Sequence, residues 1–588
     1  MMKAMQAKNV FSNIAFMSAP SVKIDRFNSN STNKYGACSI YGLCFLLPIV
    51  LAAFSIESQA ETFPDAGATY RNIVPEIRVI PKSEPTLTLP DVGKGEILDQ
   101  TPFIIKRFHI EGASLIPEPT LQELIANLVG DARTLADLNK ATARITNLYR
   151  DQGYPLARAY LAPQEIADGT VLITVLEGTL GGIKLENGSR LTNQQAEAIA
   201  HHIQQGETLR LNEVNRAILL LRDTPGVGDV QASFAAGDKT GETLMTLDLT
   251  PAPLITGRLE ADNYGSLYTG RQRAGGSVNL NSLLGYGERI SAQVLASEES
   301  LYYGRLAVQV PFGSNGLSLG VNLSHVQYEL GDVFKNLKAT GRVNSSEMSL
   351  AYPFVRDLMF NLYGQANIKY SDLKDEIRVT ETVTDKTTKK ATLSLIMNSR
   401  DQFLSGGANQ AYLGFSSGQL AIDSPSVQAL DAILARTEGS YRVLNIELSR
   451  LQSVTNRITL SLSAKGQIAS KNLDSSEKFF LGGPYAIRAY PVGEATGDQG
   501  WLGTAEARFA FLPNVYGSVF YDVGAIRVNQ NSFLTTPNGR RLSGSGIGLG
   551  GSYKTFNWKS DIAWRGTEEP VAEKDKTPRV WLQGSFSF

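Results

Sequence analysis

The residues that could give this chain covalent or metal chemistry are few and badly spaced. Its histidines are His109, His201, His202 and His325. The adjacent pair His201–His202 points in two directions on a helix and fits ordinary surface better than a metal site. Both cysteines, Cys38 and Cys44, lie in one apolar stretch near the N-terminus; with that stretch removed, no thiol remains for a metal, a disulfide or a nucleophile. The run Gly544-Ser545-Gly546 has the look of a nucleophile elbow. It falls mid-strand with no histidine near, and glycine-rich strand packing explains it better. No catalytic set, cofactor site, metal site or nucleotide site emerges, so the expectation is a protein that is not an enzyme.

Composition narrows the class further. The 588 residues exceed one ordinary domain, and 56 Lys and Arg against 57 Asp and Glu give a net charge of -1. That balance excludes the surplus of basic charge a nucleic-acid binder needs. With 42% hydrophobic residues the chain is not disordered. Residues 1–60 predict an export signal: Lys3, Lys8, Lys23, Arg26 and Lys34, then the apolar run Leu43–Phe54, then Ser58-Gln59-Ala60 before Glu61. Residues 61–100 read as a proline-rich linker, with room for a short plug helix near Gly67–Asn72 between Pro64 and Pro75.

Two segments then repeat one order of elements, at 101–179 and 180–252. Each predicts a three-stranded sheet covered by two helices, an α+β module. In the first, Leu138, Ala141, Ile145 and Leu148 recur at helical spacing; in the second, Val214, Ala217, Ile218 and Leu221 do. From 253 to 588 the period changes to two. Arg305–Val310, Leu317–Ser324 and Arg457–Lys465 alternate apolar with polar residues. Sixteen such strands are predicted, joined alternately by tight turns such as 453–456 and 512–514 and by long polar loops such as 376–389 and 470–500. An even strand count and short turns on one rim are the pattern of an outer-membrane barrel. Trp501, Trp558, Trp564 and Trp581 are expected in an interfacial girdle facing the lipid bilayer. Arg305, Gln309, Arg457, Lys465, Glu506 and Arg508 are expected to line a polar lumen.

The first α+β segment carries Tyr149-x-x-x-Gly153-Tyr154-Pro155 and Glu177-Gly178, and the second carries Leu219-Leu220-Leu221-Arg222-Asp223-x-Pro225-Gly226-Val227. These resemble the two POTRA domains of two-partner secretion transporters. The long loop 470–500 contains Gly482, Gly483 and Ile487-Arg488-Ala489-Tyr490, and two strands on lies Phe520-x-Asp522-x-Gly524. The pair resembles the loop-tip and strand motifs of the BamA-like superfamily. The chain as a whole is similar to the hemolysin secretion/activation family of TpsB type (ShlB/FhaC/HecB). That resemblance implies a transmembrane antiparallel β-barrel preceded by two α+β POTRA domains, with the loop folded inward and Arg488 paired with Asp522. A guanidinium fork on a carboxylate suits an anchor that must survive in a wet lumen. Ala489 stands where the family has glycine, which makes a left-handed backbone costly there.

The last strand, ending Phe586-Ser587-Phe588, resembles the signal read by the outer-membrane assembly machinery. The implied function is export, and possibly activation, of an unfolded partner exoprotein of adhesin, hemolysin, toxin or haem-acquisition type. POTRA strand edges in the periplasm would capture it by β-augmentation. An insertase for outer-membrane proteins and a haem-uptake-linked pore are the alternatives; two POTRA units favour secretion.

Overall fold

A computed structural model of the chain describes residues 64–73, the backbone of Thr86 and Leu87, and 102–588 apart from 167, 240, 534, 536 and 572–576. The export signal expected over 1–60, both cysteines and most of the linker lie outside the described residues.

In the first α+β unit, Arg107–Glu111 runs parallel to Thr170–Leu176, which pairs antiparallel with Arg158–Tyr160. Helices Glu118–Ile125 and Leu135–Asp151 cover one face. Thr134 and Asp137 form a capping box at the start of the longer helix. Its Leu138, Ala141, Ile145 and Tyr149 pack with Phe108, Ile110, Val171 and Ile173. The Tyr149–Pro155 motif has a local cause. Gly153 takes a φ of 90°, and the Tyr154 amide bonds back to the Tyr149 carbonyl at 2.9 Å, which ends the helix. The Tyr149 hydroxyl donates to Glu177 at 2.8 Å, and Glu177 also accepts from the Ser114 and Leu115 amides at 2.6 and 2.7 Å. Partial burial alone would raise the Glu177 pKa; these donors hold it below the usual glutamate range.

The second unit orders Val227–Ala236, Glu242–Pro251 and Thr179–Asn187 in one sheet, with the linker backbone at Thr86–Leu87 added in parallel on the Val227–Ala236 edge. Helices Asn193–Ala200 and Leu211–Asp223 cover it. The first stops at Ala200, where the His201 and His202 amides turn back onto Glu197 and Ile199.

Sixteen strands close the barrel. In order they are Ile255–Asp262, Arg273–Asn281, Arg289–Ser297, Tyr302–Pro311, Ser318–Glu329, Ala339–Arg356, Phe360–Ile377, Thr382–Asp401, Gly407–Ile422, Gly439–Ser453, Ile458–Ala469, Gln499–Leu512, Val515–Arg527, Gly539–Tyr553, Phe556–Arg565 and Arg579–Ser587. Alternation sorts their faces: Leu306, Val308 and Val310 are exposed outward while Tyr303 is buried inward. Among the described residues no helix is long and apolar enough to cross a membrane. Helix Ala66–Ile73 lies against the inner wall. Tyr70 packs with Tyr303, Val326 and Tyr328, and the Ala66 amide donates to Asp375 at 2.9 Å.

The second unit is bolted to the short-turn rim by its Leu219–Val227 motif. Arg356 forks Asp223 at 2.7 and 3.0 Å, and the Thr192 amide bonds the Gly285 carbonyl at 2.9 Å. Gly226 and Gly287 leave no room for a Cβ, which would lie 2.4 Å from Ser282 and 2.3 Å from Thr224 respectively. The two α+β units meet where Leu156 of the first packs on the core of the second and the Leu211 amide bonds the Gly153 carbonyl.

Arg356→Ala should cost this joint about 3 kcal/mol, the low end for breaking a buried pair because the Asp223 side chain stays 26% exposed. The Thr192 amide should then exchange roughly a hundredfold faster, with barrel amides unchanged. In the first unit the folded glutamate has the lower pKa, so its contribution is complete above about pH 4.3 and is lost as pH falls through the folded value. Protection of the Ser114 and Leu115 amides should therefore hold from about pH 7 to about pH 5 and fall in stronger acid, and Glu177→Gln should weaken it at neutral pH.

Candidate functional site

The long connection between the eleventh and twelfth strands folds back into the lumen as a hairpin. Its base is a two-residue ladder, Phe479–Phe480 with Thr496–Gly497. Below that the chain has no regular partner and holds itself by short bonds. The Ile487 amide donates to Leu481 at 2.7 Å, and the Gly483 and Tyr490 amides donate to Tyr490 and Ile487 at 3.1 Å each. Gly483 takes a φ of 115°, available to glycine alone at low cost. A Cβ on Gly482 would stand 2.0 Å from the Pro491 carbonyl oxygen, so this glycine is needed for clearance.

Arg488 ends the hairpin against the wall. Its Nε and its backbone amide donate to Asp522 Oδ2 at 2.9 and 3.1 Å, and a terminal nitrogen donates to Asp522 Oδ1 at 3.0 Å. The other terminal nitrogen donates to Glu506 at 2.7 Å and lies 3.6 Å from Asp561. The guanidinium also lies 3.3 Å above the centre of the Phe520 ring. Arg508 at 2.6 Å from Glu506 and Lys559 at 2.8 Å from Asp561 complete a cluster of three cations and three carboxylates. Charge cancels locally, the condition for placing six ionised groups at a largely buried site.

Period two explains the wall motif. Phe520, Asp522 and Gly524 alternate along the thirteenth strand, so all three face inward. Phe520 offers the ring, Asp522 the carboxylate, and Gly524 the clearance: a Cβ there would lie 2.7 Å from Leu481 of the hairpin. The glycine run on the fourteenth strand does related work. A Cβ on Gly544 would meet that of Ala489 at 2.4 Å, and one on Gly546 would meet the Phe520 ring at 2.3 Å. Ser545 between them faces outward, away from any lumen chemistry. Ala489 has no positive φ, so the missing glycine at the tip carries no backbone strain; its methyl group fills the Gly544 seat.

Ile487 is fully buried among Leu481, Leu502 and Phe520. The Tyr490 hydroxyl donates to the Glu568 carbonyl at 2.8 Å, which ties the tip to the last long loop. Phe586 and Phe588 are exposed on the outer face, apart from this cluster.

Asp561, Trp581, Tyr264, Gly544 and Gly546 are site residues that sequence reasoning missed, and Glu506 was read only as lumen lining. Trp581 also corrects the expected girdle. Its strand places Arg579, Trp581 and Gln583 inward, and the indole donates to the Arg488 carbonyl at 2.7 Å. Tyr264 stacks edge-on between Trp581 and Tyr485 of the hairpin. Trp501 and Trp564 do face outward. Inward parity in the strands was the signal available for Asp561 and Trp581.

Arg488→Lys should release the tip in part, since one ammonium cannot fork Asp522, reach Glu506 and cover Phe520 together. Gly546→Ala should release it without touching a charge. In both variants the amides of 481–491 should exchange faster while strand amides stay protected; unchanged exchange in Gly546→Ala would show that the ring does not depend on its seat.

Comparison with known proteins places these features in a family. The model for haemolysin secretion/activation protein ShlB/FhaC/HecB matches residues 241–551, which takes in both the hairpin and its wall, and the POTRA domain of ShlB type matches 103–178. The chain is 28% identical to the heme/hemopexin transporter protein HuxB of Haemophilus influenzae (strain 86-028NP) over 440 residues, 73% of this chain and 77% of that one. It is 24% identical to the outer membrane transporter CdiB of Escherichia coli over 411 residues, 68% of this chain and 67% of that one. The solved structure of CdiB from Escherichia coli shares the fold with a TM-score of 0.65 at 19% identity, covering 86% of this chain and 94% of that one. With more than half its length matched by the family model, the chain belongs to the haemolysin secretion/activation family ShlB/FhaC/HecB.

Proposed function

We propose that the two POTRA units take up an unfolded partner protein in the periplasm and pass it into the barrel, with the Arg488 hairpin holding the lumen in one defined state. The chain is an outer-membrane transporter of the two-partner secretion type, its POTRA units on the periplasmic side. It carries out no chemistry of its own in this reading. Export draws on the free energy released when the cargo folds outside, because no nucleotide is at hand in the periplasm.

One observation carries the capture step. The Val227–Ala236 edge of the second POTRA sheet accepts an added strand, the chain's own Thr86–Leu87, in parallel register with Gln231 and Ala232. Main-chain groups on that edge thus pair with an extended segment, which an unfolded cargo offers in place of the linker. The likeness to a heme/hemopexin transporter favours an exoprotein of the haem-acquisition class over the other cargo types.

Co-expression with a partner exoprotein of the haem-acquisition class should release that protein into the medium. Arg488→Ala should abolish release while heat-modifiable barrel remains in the membrane, since three carboxylates lose their shared cation. Deleting 103–178 should weaken binding of the unfolded cargo, the second unit's edge keeping the remainder; undiminished binding would reduce the first POTRA unit to a spacer, and normal export by Arg488→Ala would remove the hairpin from the mechanism.

A further inference from the structure

We propose that the periplasmic half of the lumen contains a cationic chamber that binds acidic stretches of the exported polypeptide, a recognition step distinct from strand capture on the POTRA edges. This names the substrate chemistry and rests on the export reading. The chamber is a cavity of about 520 Å³, within the range of about 300–1,000 Å³ typical of ligand sites. It is floored by the short turn at Pro513–Asn514, so it lies at the rim where the second POTRA unit docks.

Four cations line it: Arg258 from the first strand, Arg457 at the foot of the eleventh, Arg508 from the twelfth and Lys559 from the fifteenth. No aspartate or glutamate lines it. Parity explains why the cations converge, since each occupies an inward position of its own strand. Arg508 and Lys559 lean on Glu506 and Asp561, the carboxylates of the loop anchor. Arg258 is 3.5 Å from Glu260, and Arg457 makes no ion pair among the described residues. The chamber therefore holds unspent positive charge in a low-dielectric wall, where field lines concentrate.

A second group of acidic residues gathers elsewhere in the lumen. Asp65, Asp375, Asp474 and Glu477 surround the N-terminus of helix Ala66–Ile73 and the base of the hairpin, toward the long-loop rim, with Lys386 and Lys390 as counter-ions. The chamber lining is thus cationic, and this second region gathers four carboxylates. Guanidinium forks from Arg258 and Arg457 suit carboxylate side chains. Thr459 and Gln583 beside them suit the amides of an extended backbone.

Purified full-length protein in a zwitterionic detergent, titrated with dye-labelled octaglutamate, tests this. The peptide should bind, octalysine should not, and the double variant Arg258→Gln/Arg457→Gln should bind octaglutamate at least tenfold more weakly. Neither substitution touches the Arg488 cluster, and unchanged exchange of the 481–491 amides checks that the barrel is intact. Equal binding by the double variant would place the peptide elsewhere and overturn the proposal. So would displacement of octaglutamate by short-chain phosphatidylglycerol at equal charge, which would make the chamber a lipid site. Absent peptide binding with export intact faults the chamber alone; peptide binding with no cargo released by the wild type faults the export reading alone.

Discussion

The arrangement inside the barrel turns on one guanidinium. Arg488 hangs at the end of a hairpin whose regular strand pairing is a two-residue ladder, so it needs a fixed point at the far end. Asp522 offers that point, but a single buried ion pair would scarcely repay the loss of hydration. The surrounding groups change the balance. Glu506 and Asp561 face the one remaining guanidinium nitrogen, Arg508 and Lys559 offset the added negative charge, and Phe520 covers the flat face of the cation. The cluster is electrically neutral as a whole and positively charged on one side only, the side that opens into the lower lumen.

Steric seats matter as much as charge. The anchor fits because the fourteenth strand presents glycine on its inner face at 544 and 546, where Ala489 and Phe520 press closer than any Cβ would allow. An aromatic contact from Tyr485 through Tyr264 to Trp581 then ties the hairpin to the seam between the first and last strands. The hairpin is thereby bound to several separate strands of the wall, and to helix Ala66–Ile73 through Arg71 and Asp65. Loop and helix together occupy the lumen as a single body.

Outside the membrane the same economy appears at the joints. The Leu219–Val227 segment carries helix-end residues of the second POTRA unit, and its side chains also meet the barrel. Asp223 takes the Arg356 fork, Leu220 lies against Gly316, and Thr224 fills the space beside Gly287. Orientation of the periplasmic units relative to the pore follows from these contacts.

Much of this was legible in the residues. Period two in 253–588 determined the barrel and which face of each strand meets lipid, because a strand has two sides and a bilayer rejects charge on one of them. Helical spacing in Leu138–Ile145 and Val214–Leu221 determined the α+β units, and the positions of Arg488 and Asp522 could be marked from resemblance. Tertiary structure alone decided what surrounds them. Asp561 and Trp581 are close to Arg488 only because the barrel curves its last strands back toward the thirteenth, and strand parity says inward without saying at what height. The same holds for Gly544, whose lost side chain is explained only by the methyl group of Ala489, and for Arg258 and Arg457, 199 positions apart in the chain and brought to one cavity because the cylinder closes. Local sequence sets direction of each side chain; proximity belongs to shear and closure, which no short stretch of residues encodes.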